Sequence, residues 1–361
     1  MQFGSDNQAG ASRQVLEMLT TANTGFTHGY GDDQWCAQAK ETLKQFFNCP
    51  LEVFFVASGT AANSLALSCL VQPWETILCH HQAHILLDES TAPEFFTGGA
   101  RIIPVTRRAG KLELYHLERY FQTLAEESPH TPRSGALSIT QTNEAGLVYT
   151  PNQITALCSF AHKHHMQVHM DGARFANSVA ALGCTPADLT WKAGVDVLSL
   201  GATKCGALAA EAVIFFQRDL AATFIHRRKR AGHLVSKGRL FGAQFVGWLK
   251  DDHWLELASH ANRQAQRLAD ELASFPAIRL QWPREANELF VTMPRQLADT
   301  LQESGAEFYK WPTQALPEGT ELGKDDVFVR LVTSFVTTDN HISSFCDLIH
   351  TYEQSRTARY D

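Results

Sequence analysis

Three short stretches of this chain hold side chains whose types and spacing suit covalent amine chemistry next to a phosphate. The first is Ala57-Ser58-Gly59-Thr60-Ala61-Ala62-Asn63. Its glycine permits close backbone approach, and hydroxyls with free amides at a helix start suit an anion. Alone, this loop reads more simply as a helix N-cap, and it lacks the G-x-x-x-x-G-K-[ST] spacing of a P-loop. The second is His169-Met170-Asp171-Gly172-Ala173-Arg174. A carboxylate at a strand end in apolar surroundings must be paired or solvated, so Asp171 calls for a cation, either a ligand or Arg174 nearby. The third is Leu198-Ser199-Leu200-Gly201-Ala202-Thr203-Lys204-Cys205-Gly206. Lys204 follows an apolar strand amid small residues, where burial lowers an amine pKa and favours a Schiff-base former over an ordinary surface lysine. Arg330, inside Phe328-Val329-Arg330-Leu331-Val332, needs an anion or a solvent face, and the two-point grip of guanidinium favours a bound carboxylate.

Short apolar strands alternating with amphipathic helices must position these loops. Strands are predicted at 51–56, 76–79, 101–105, 136–140, 167–170, 195–200 and 212–216, with helices at 60–70, 114–126 and 151–165. That alternation predicts an α/β fold whose large domain is a mostly parallel seven-stranded sheet covered by helices, with its site beyond the C-terminal strand ends. Helices follow at 218–229, 236–250 and 252–274. A smaller C-terminal α+β domain then has strands near 278–282, 289–293, 307–311 and 327–332 and helices at 294–304 and 339–353. The expected division is 1–250, including an N-terminal arm, and 251–361.

Composition narrows the function classes. The 361 residues carry 31 basic and 38 acidic side chains, a net charge of -7, and apart from Arg227 to Arg230 the basic residues are scattered. A nucleic-acid binder is not expected. No apolar run approaches a bilayer span, and the N-terminus lacks the form of a signal peptide. The eight cysteines have no C-x-x-C spacing and predict reduced thiols in a cytoplasmic protein. His162, His164, His165 and His169 form a sequence cluster without an H-E-x-x-H motif, so no metal site is expected.

Taken together, the three loops resemble those of pyridoxal-phosphate enzymes with the aspartate-aminotransferase fold. Ser5-Asp6-Asn7, Tyr30-Gly31-Asp32-Asp33, Ala83-His84-Ile85 and Asp171-Gly172-Ala173-Arg174 narrow the resemblance to the threonine aldolase and β-eliminating lyase group, in particular its low-specificity L-threonine aldolases. The resemblance implies pyridoxal 5'-phosphate bound covalently at Lys204, with Asp171 at the pyridine nitrogen and Ser58, Gly59 and Thr60 at the phosphate. It further implies His84 stacked on the ring, His130 facing the substrate's hydroxyl, Arg174 beside the cofactor, and Ser5, Arg174 and Arg330 around the substrate carboxylate. Tyr30 would approach a neighbouring active site in a homodimer or homotetramer. Where many relatives have Gly-Gly-Gly-Met-Arg-Gln this chain has Gly232 to Lys237, which leaves Lys229, Arg230 and Lys237 as candidate phosphate contacts. A common Glu-Asn-Thr string is replaced by Gln141-Thr142-Asn143-Glu144.

The activity implied is cleavage of L-threonine, L-allo-threonine and related β-hydroxy-α-amino acids to glycine and an aldehyde, with His84 or His130 taking the hydroxyl proton directly or through water. The nearest rival is a lyase that eliminates a β-substituent. A non-catalytic pyridoxal-phosphate regulator would carry an added basic module, for which the match starting at Ser5 leaves no place.

Overall fold

The computed structural model describes residues 1–124 and 129–357. The seven expected strands form one sheet: β1 (Glu52–Val56), β2 (Thr76–Cys79), β3 (Arg101–Pro104), β4 (Ser134–Thr140), β5 (Gln167–Gly172), β6 (Val197–Gly201) and β7 (Glu211–Phe215). Their spatial order is β1-β7-β6-β5-β4-β2-β3. Pairing is parallel from β3 through β6, and β7 runs antiparallel to both of its neighbours. The sequence pattern does not reveal that reversal, because a buried strand is apolar whichever way it runs. Its consequence is local: β7 begins, with Glu211, at the edge where β6 ends.

Alternate residues serve opposite faces, as strand geometry requires. Val53, Phe55, Leu198 and Leu200 enter one core with Phe47, Phe175 and Trp248, while Phe54, Val56, Val197 and Val213 enter the other with Leu65 and Phe224. The covering helices are α1 (Arg13–Ala22), α2 (Gln34–Phe47), α3 (Gly59–Ser68), α4 (His84–Leu87), α5 (Ala92–Thr97), α6 (Leu114–Gln122), α7 (Pro151–Lys163), α8 (Phe175–Leu182), α9 (Phe224–Arg230) and α10 (Arg239–Leu249). The expected helix over 218–229 is interrupted between a 3-10 turn at Arg218–Ala221 and α9. Residues 125–128, at the expected end of α6, lie outside the described residues.

The C-terminal unit is built on α11 (His253–Leu272), whose first turns pack on the large core through Trp254 and Leu257 and whose last turns pack on the small one through Leu268 and Leu272. An antiparallel sheet ordered β10-β11-β9-β8 follows, from β8 (Arg279–Leu280), β9 (Glu288–Pro294), β10 (Tyr309–Lys310) and β11 (Asp326–Val332), backed by α12 (Arg295–Glu303) and α13 (Asp339–Thr357). The chain start also joins this unit. Phe3 exchanges backbone hydrogen bonds with Glu307 and Val332 at 2.8 Å each and is fully buried, its ring 5.1 Å from Phe345. The arm expected within the large domain is therefore fastened to the small one, because its one large apolar side chain finds its pocket there.

Phe3→Ala should therefore lower stability by about 3–5 kcal/mol through the cavity it leaves. Urea denaturation followed by fluorescence and circular dichroism measures this; a loss below about 1 kcal/mol would mean that the arm contributes little to the small unit.

Candidate active site

The chemistry-bearing residues gather where the parallel strands end. Ser58 caps α3, its Oγ accepting the Ala61 N–H at 3.3 Å, so the N-cap reading is correct as far as it goes. Ser58 and Gly59 are nonetheless exposed, and a Cβ built on Gly59 meets nothing within 4 Å. The ten-residue helix thus opens its N-terminus onto free space, which fits a phosphate.

Asp171 is buried at the end of β5. Its Oδ1 accepts the Ala173 N–H at 3.0 Å and its Oδ2 accepts Asn63 Nδ2 at 2.9 Å. Among the described residues no cationic side chain pairs with it within 4.0 Å, and Arg174 turns elsewhere. A buried carboxylate satisfied only by neutral donors is suited to a protonated ring nitrogen. The second Asn63 amide hydrogen goes to Glu89 Oε1 at 2.8 Å, and that oxygen also meets His84 Nδ1 at 2.9 Å. The hydrogen bond to Glu89 raises the His84 pKa against the opposing effect of burial. Ligand atoms of His84, Glu89 and Asp171 lie within 4.8 Å of one another, linked by the Asn63 amide.

Lys204 sits on a 3-10 turn (Thr203–Cys205) directly after β6. Its charge acts on Asp6, on His84 and on Glu211, and burial pushes Glu211 up to about 7. The close fit of this turn against the Asp171 loop depends on Gly201. A Cβ there would stand 2.7 Å from the Ala173 carbonyl oxygen and 2.8 Å from its Cα, and neither backbone atom can yield.

Arg174 holds Asp6 in a two-point bond, Nε to Oδ2 at 2.8 Å and Nη2 to Oδ1 at 3.0 Å, and lies 3.3 Å from Glu288. Burial would raise the Asp6 pKa, but the Arg174 charge and its hydrogen bonds outweigh it and hold the carboxyl below its ordinary value. Arg330 stacks 4.0 Å over the Trp311 ring, lies 3.7 Å from Glu288 and donates to the Gly4 carbonyl at 3.3 Å. Among the described residues its buried Nε has no hydrogen-bond partner, and Glu288 meets the two arginines as ion pairs without a hydrogen bond. An unmet guanidinium donor beside the chain start is the feature expected of a carboxylate site. Ser5 flanks Gly4, but its Oγ accepts the Asn7 N–H at 3.2 Å, a capping task.

Two expectations need correction. His130 is exposed on the turn before β4. The seven residues of that strand, at about 3.3 Å each, separate it by roughly 20 Å from the edge where Thr140 meets Asp171. It lies away from this chain's own cluster, because a residue preceding a parallel strand lies at the opposite end of the sheet from those that follow it. Of the candidate phosphate contacts, Lys229, Arg230 and Lys237 are all exposed. Lys229 stacks 5.0 Å over Tyr30, and the basic residue that turns inward is Arg228, which donates to the Phe55 carbonyl at 3.4 Å. Tyr30 is 55% exposed and packs by its N–H on Ser236, so it presents its ring outward.

The histidine cluster disperses. His169 is buried between the Ser138 and Ser199 hydroxyls at 2.9 Å each, and burial pushes its pKa down to about 4. His162 binds Asp196 at 2.9 Å, and His164 packs on Phe121 and Phe160. Asp6, Asn63, Glu89, Glu144, Arg228 and Glu288 are site residues that carry no role in the sequence reading. Glu288 alone left a signal, a charge opening an apolar strand, as Arg330 does.

Comparison with known proteins agrees with this geometry. The family described as beta-eliminating lyase matches residues 2–295. A low specificity L-threonine aldolase of Pseudomonas aeruginosa is 42% identical over 308 residues, covering 85% of this chain and 88% of the relative; one from another Pseudomonas strain matches to the same extent. A solved threonine aldolase of Leishmania major superposes with a TM-score of 0.89 at 27% identity, covering 97% of this chain and 99% of that one.

Asp6→Asn should destabilise the protein by about 3–5 kcal/mol at pH 7, because Arg174 loses its closest carboxylate while buried. A lowered pKa means that the wild-type advantage is present above the ordinary value of 3.8 and fades as pH falls through the lower value of the folded state. Urea titrations of both proteins at pH 7 and near pH 3 check the sign; a constant difference would exclude ionic pairing as its source.

Proposed function

The chain belongs to the beta-eliminating lyase family, and from that premise we propose that it cleaves L-threonine, L-allo-threonine and related β-hydroxy-α-amino acids to glycine and an aldehyde. The observation that carries this reading is the grouping of Lys204, an ion-pair-free buried Asp171 and an open α3 N-terminus at one sheet edge. Relatives named for this activity support it.

Pyridoxal 5'-phosphate, when bound, supplies an electron sink for the pair left on the substrate's Cα. Ser58, Gly59 and Thr60 would hold its phosphate, Asp171 would pair with its ring nitrogen, His84 would lie against its ring, and Lys204 would anchor it covalently. Arg330, desolvated and with a free Nε, grips the substrate carboxylate, while Arg174 holds the neighbouring Asp6 rather than reaching out itself. Fixing the carboxylate orients the Cα–Cβ bond, so the chain decides which Cα bond breaks.

The working form we propose is a homodimer or homotetramer, with the Tyr30 loop against a neighbouring site. Phe26, Leu208 and Tyr30 are large apolar or aromatic side chains left open to solvent. All eight cysteines are free thiols, which suits the reducing cytoplasm. Among the described residues no helix is long and apolar enough to cross a membrane.

Incubation with L-threonine should yield glycine and acetaldehyde in equal amounts, identified by mass spectrometry; a keto acid with ammonia would move the chain to the eliminating branch of the family. Borohydride reduction and peptide mapping should find the pyridoxyl group on Lys204, and Lys204→Ala should abolish turnover. Arg330→Ala should raise the apparent KM about 10- to 100-fold, the value of a charge-assisted hydrogen-bond pair. An unchanged KM would remove Arg330 from the carboxylate site.

A further inference from the structure

With His130 at the far end of this chain's sheet, His84 is the expected acceptor of the β-hydroxyl proton that remains, and the segment that departs from the family pattern lies at the same edge as His84. Glu144 follows β4, whose last residue, Thr140, is in register with Asp171. One carboxyl oxygen, Oε1, accepts the Thr140 hydroxyl at 2.9 Å and the His84 N–H at 3.0 Å. It is thereby fixed between the strand beside Asp171 and the residue assigned to the ring face. The side chain is half-buried, and the bonds from Thr140 and His84 both fall on the one oxygen, Oε1. Glu144 is not needed to close its own turn: Asn143 does so, its Oδ1 accepting the Ala145 and Leu147 N–H groups at 3.0 and 2.9 Å.

We propose that Glu144 is a catalytic residue that accepts the β-hydroxyl proton of the substrate as its Cα–Cβ bond breaks. This rests on the aldol-cleavage reading above. The O–H proton passes to Glu144 Oε2 and the O–H electron pair becomes the second C–O bond of the aldehyde. The Cα–Cβ pair stays on Cα, where a proton from solvent completes glycine, and Glu144 then releases its proton to solvent. Atoms balance as one amino acid to glycine plus one aldehyde.

The surroundings support this role. The ionisable groups facing Glu144 are Asp171 on β5, His84 on α4, Cys79 on β2 and Tyr149 after the turn. Burial, aided by the Asp171 charge, pushes the Glu144 carboxyl up to about 7 against the hydrogen bonds from its own N–H, the His84 N–H and Thr140. A raised pKa means that the accepting carboxylate form grows in as pH rises through 7, where a general base is most effective.

The test compares wild type, Glu144→Gln and Glu144→Asp as holoenzymes. Glu144→Gln keeps an oxygen for both donors. It should lose about 100- to 10,000-fold in kcat for L-threonine with KM changed less than 5-fold, while exchange of the glycine α-proton, which involves no β-hydroxyl, stays within 5-fold. Glu144→Asp should recover part of the loss. Wild-type cleavage should rise with pH through about 7 while glycine exchange does not, a measurement that stands even if Glu144→Gln fails to fold. In substrate-free protein, 13C-glutamate spectra should contain two carboxyls titrating near 7, Glu144 and Glu211, of which Glu144→Gln removes one. A wild type that makes no glycine from L-threonine overturns both readings. A wild type that does, with Glu144→Gln within 5-fold of it or with no carboxyl lost from the spectra, overturns the Glu144 assignment alone.

Discussion

Everything at the active edge depends on one buried guanidinium. Arg174 leaves the loop after β5, takes Asp6 from the N-terminal arm and lies beside Glu288 at the start of β9, which also lies beside Arg330 of β11. Three parts of the chain distant in sequence are thus joined by two carboxylates and two arginines with little access to water. Such a network gains little net stability, because desolvating each ion costs several kcal/mol, yet losing one member strands a charge and costs heavily. It therefore specifies position more than it adds stability. It ties the N-terminal arm, the loop after β5 and the strands β9 and β11 to one another.

Beyond that network, the site works by giving chemically similar groups different environments. Asp171, Glu89, Glu144 and Glu211 are four carboxylates near one lysine. Asp171 is held by an amide and a backbone N–H, and Glu89 is tied to His84, whose proton it favours. Burial brings Glu144 and Glu211 to about 7 in spite of the hydrogen bonds that each accepts. Separate environments for like groups let one pocket hold fixed charges and movable protons at the same pH. Asn63, neutral, bridges two of the carboxylates through its two amide hydrogens.

The chain start illustrates how position in a sequence hides role. Ser5 caps a short turn, and the residue beside it carries the ion pair: Asp6 is 2% exposed and receives three hydrogen bonds, two from Arg174 and one from Asn287 at 3.0 Å. The cap directs the arm into the cleft, and Phe3 anchors it from the other side. A polar motif and an apolar anchor two residues apart therefore act as a single fastening.

Periodicity and motif order made much of this protein legible in its sequence. The seven strands and most of the helices they alternate with are local consequences of apolar patterning, and Asp171, Lys204 and the Ser58 loop were identifiable because each directly follows a strand. Arg330 was identifiable because a charge inside an apolar strand needs a reason. Only the tertiary structure decided the rest. Whether a residue precedes or follows a strand by a few residues looks alike in a string of letters, but in a parallel sheet it is the difference between opposite edges, which sets His130 and Glu144 at opposite ends of β4. Which acid meets Arg174 was likewise beyond local pattern, since Asp6, Asp171 and Glu288 are equal partners by type. Pairing is settled by where the backbone carries each carboxylate, and that depends on contacts between residues hundreds of positions apart.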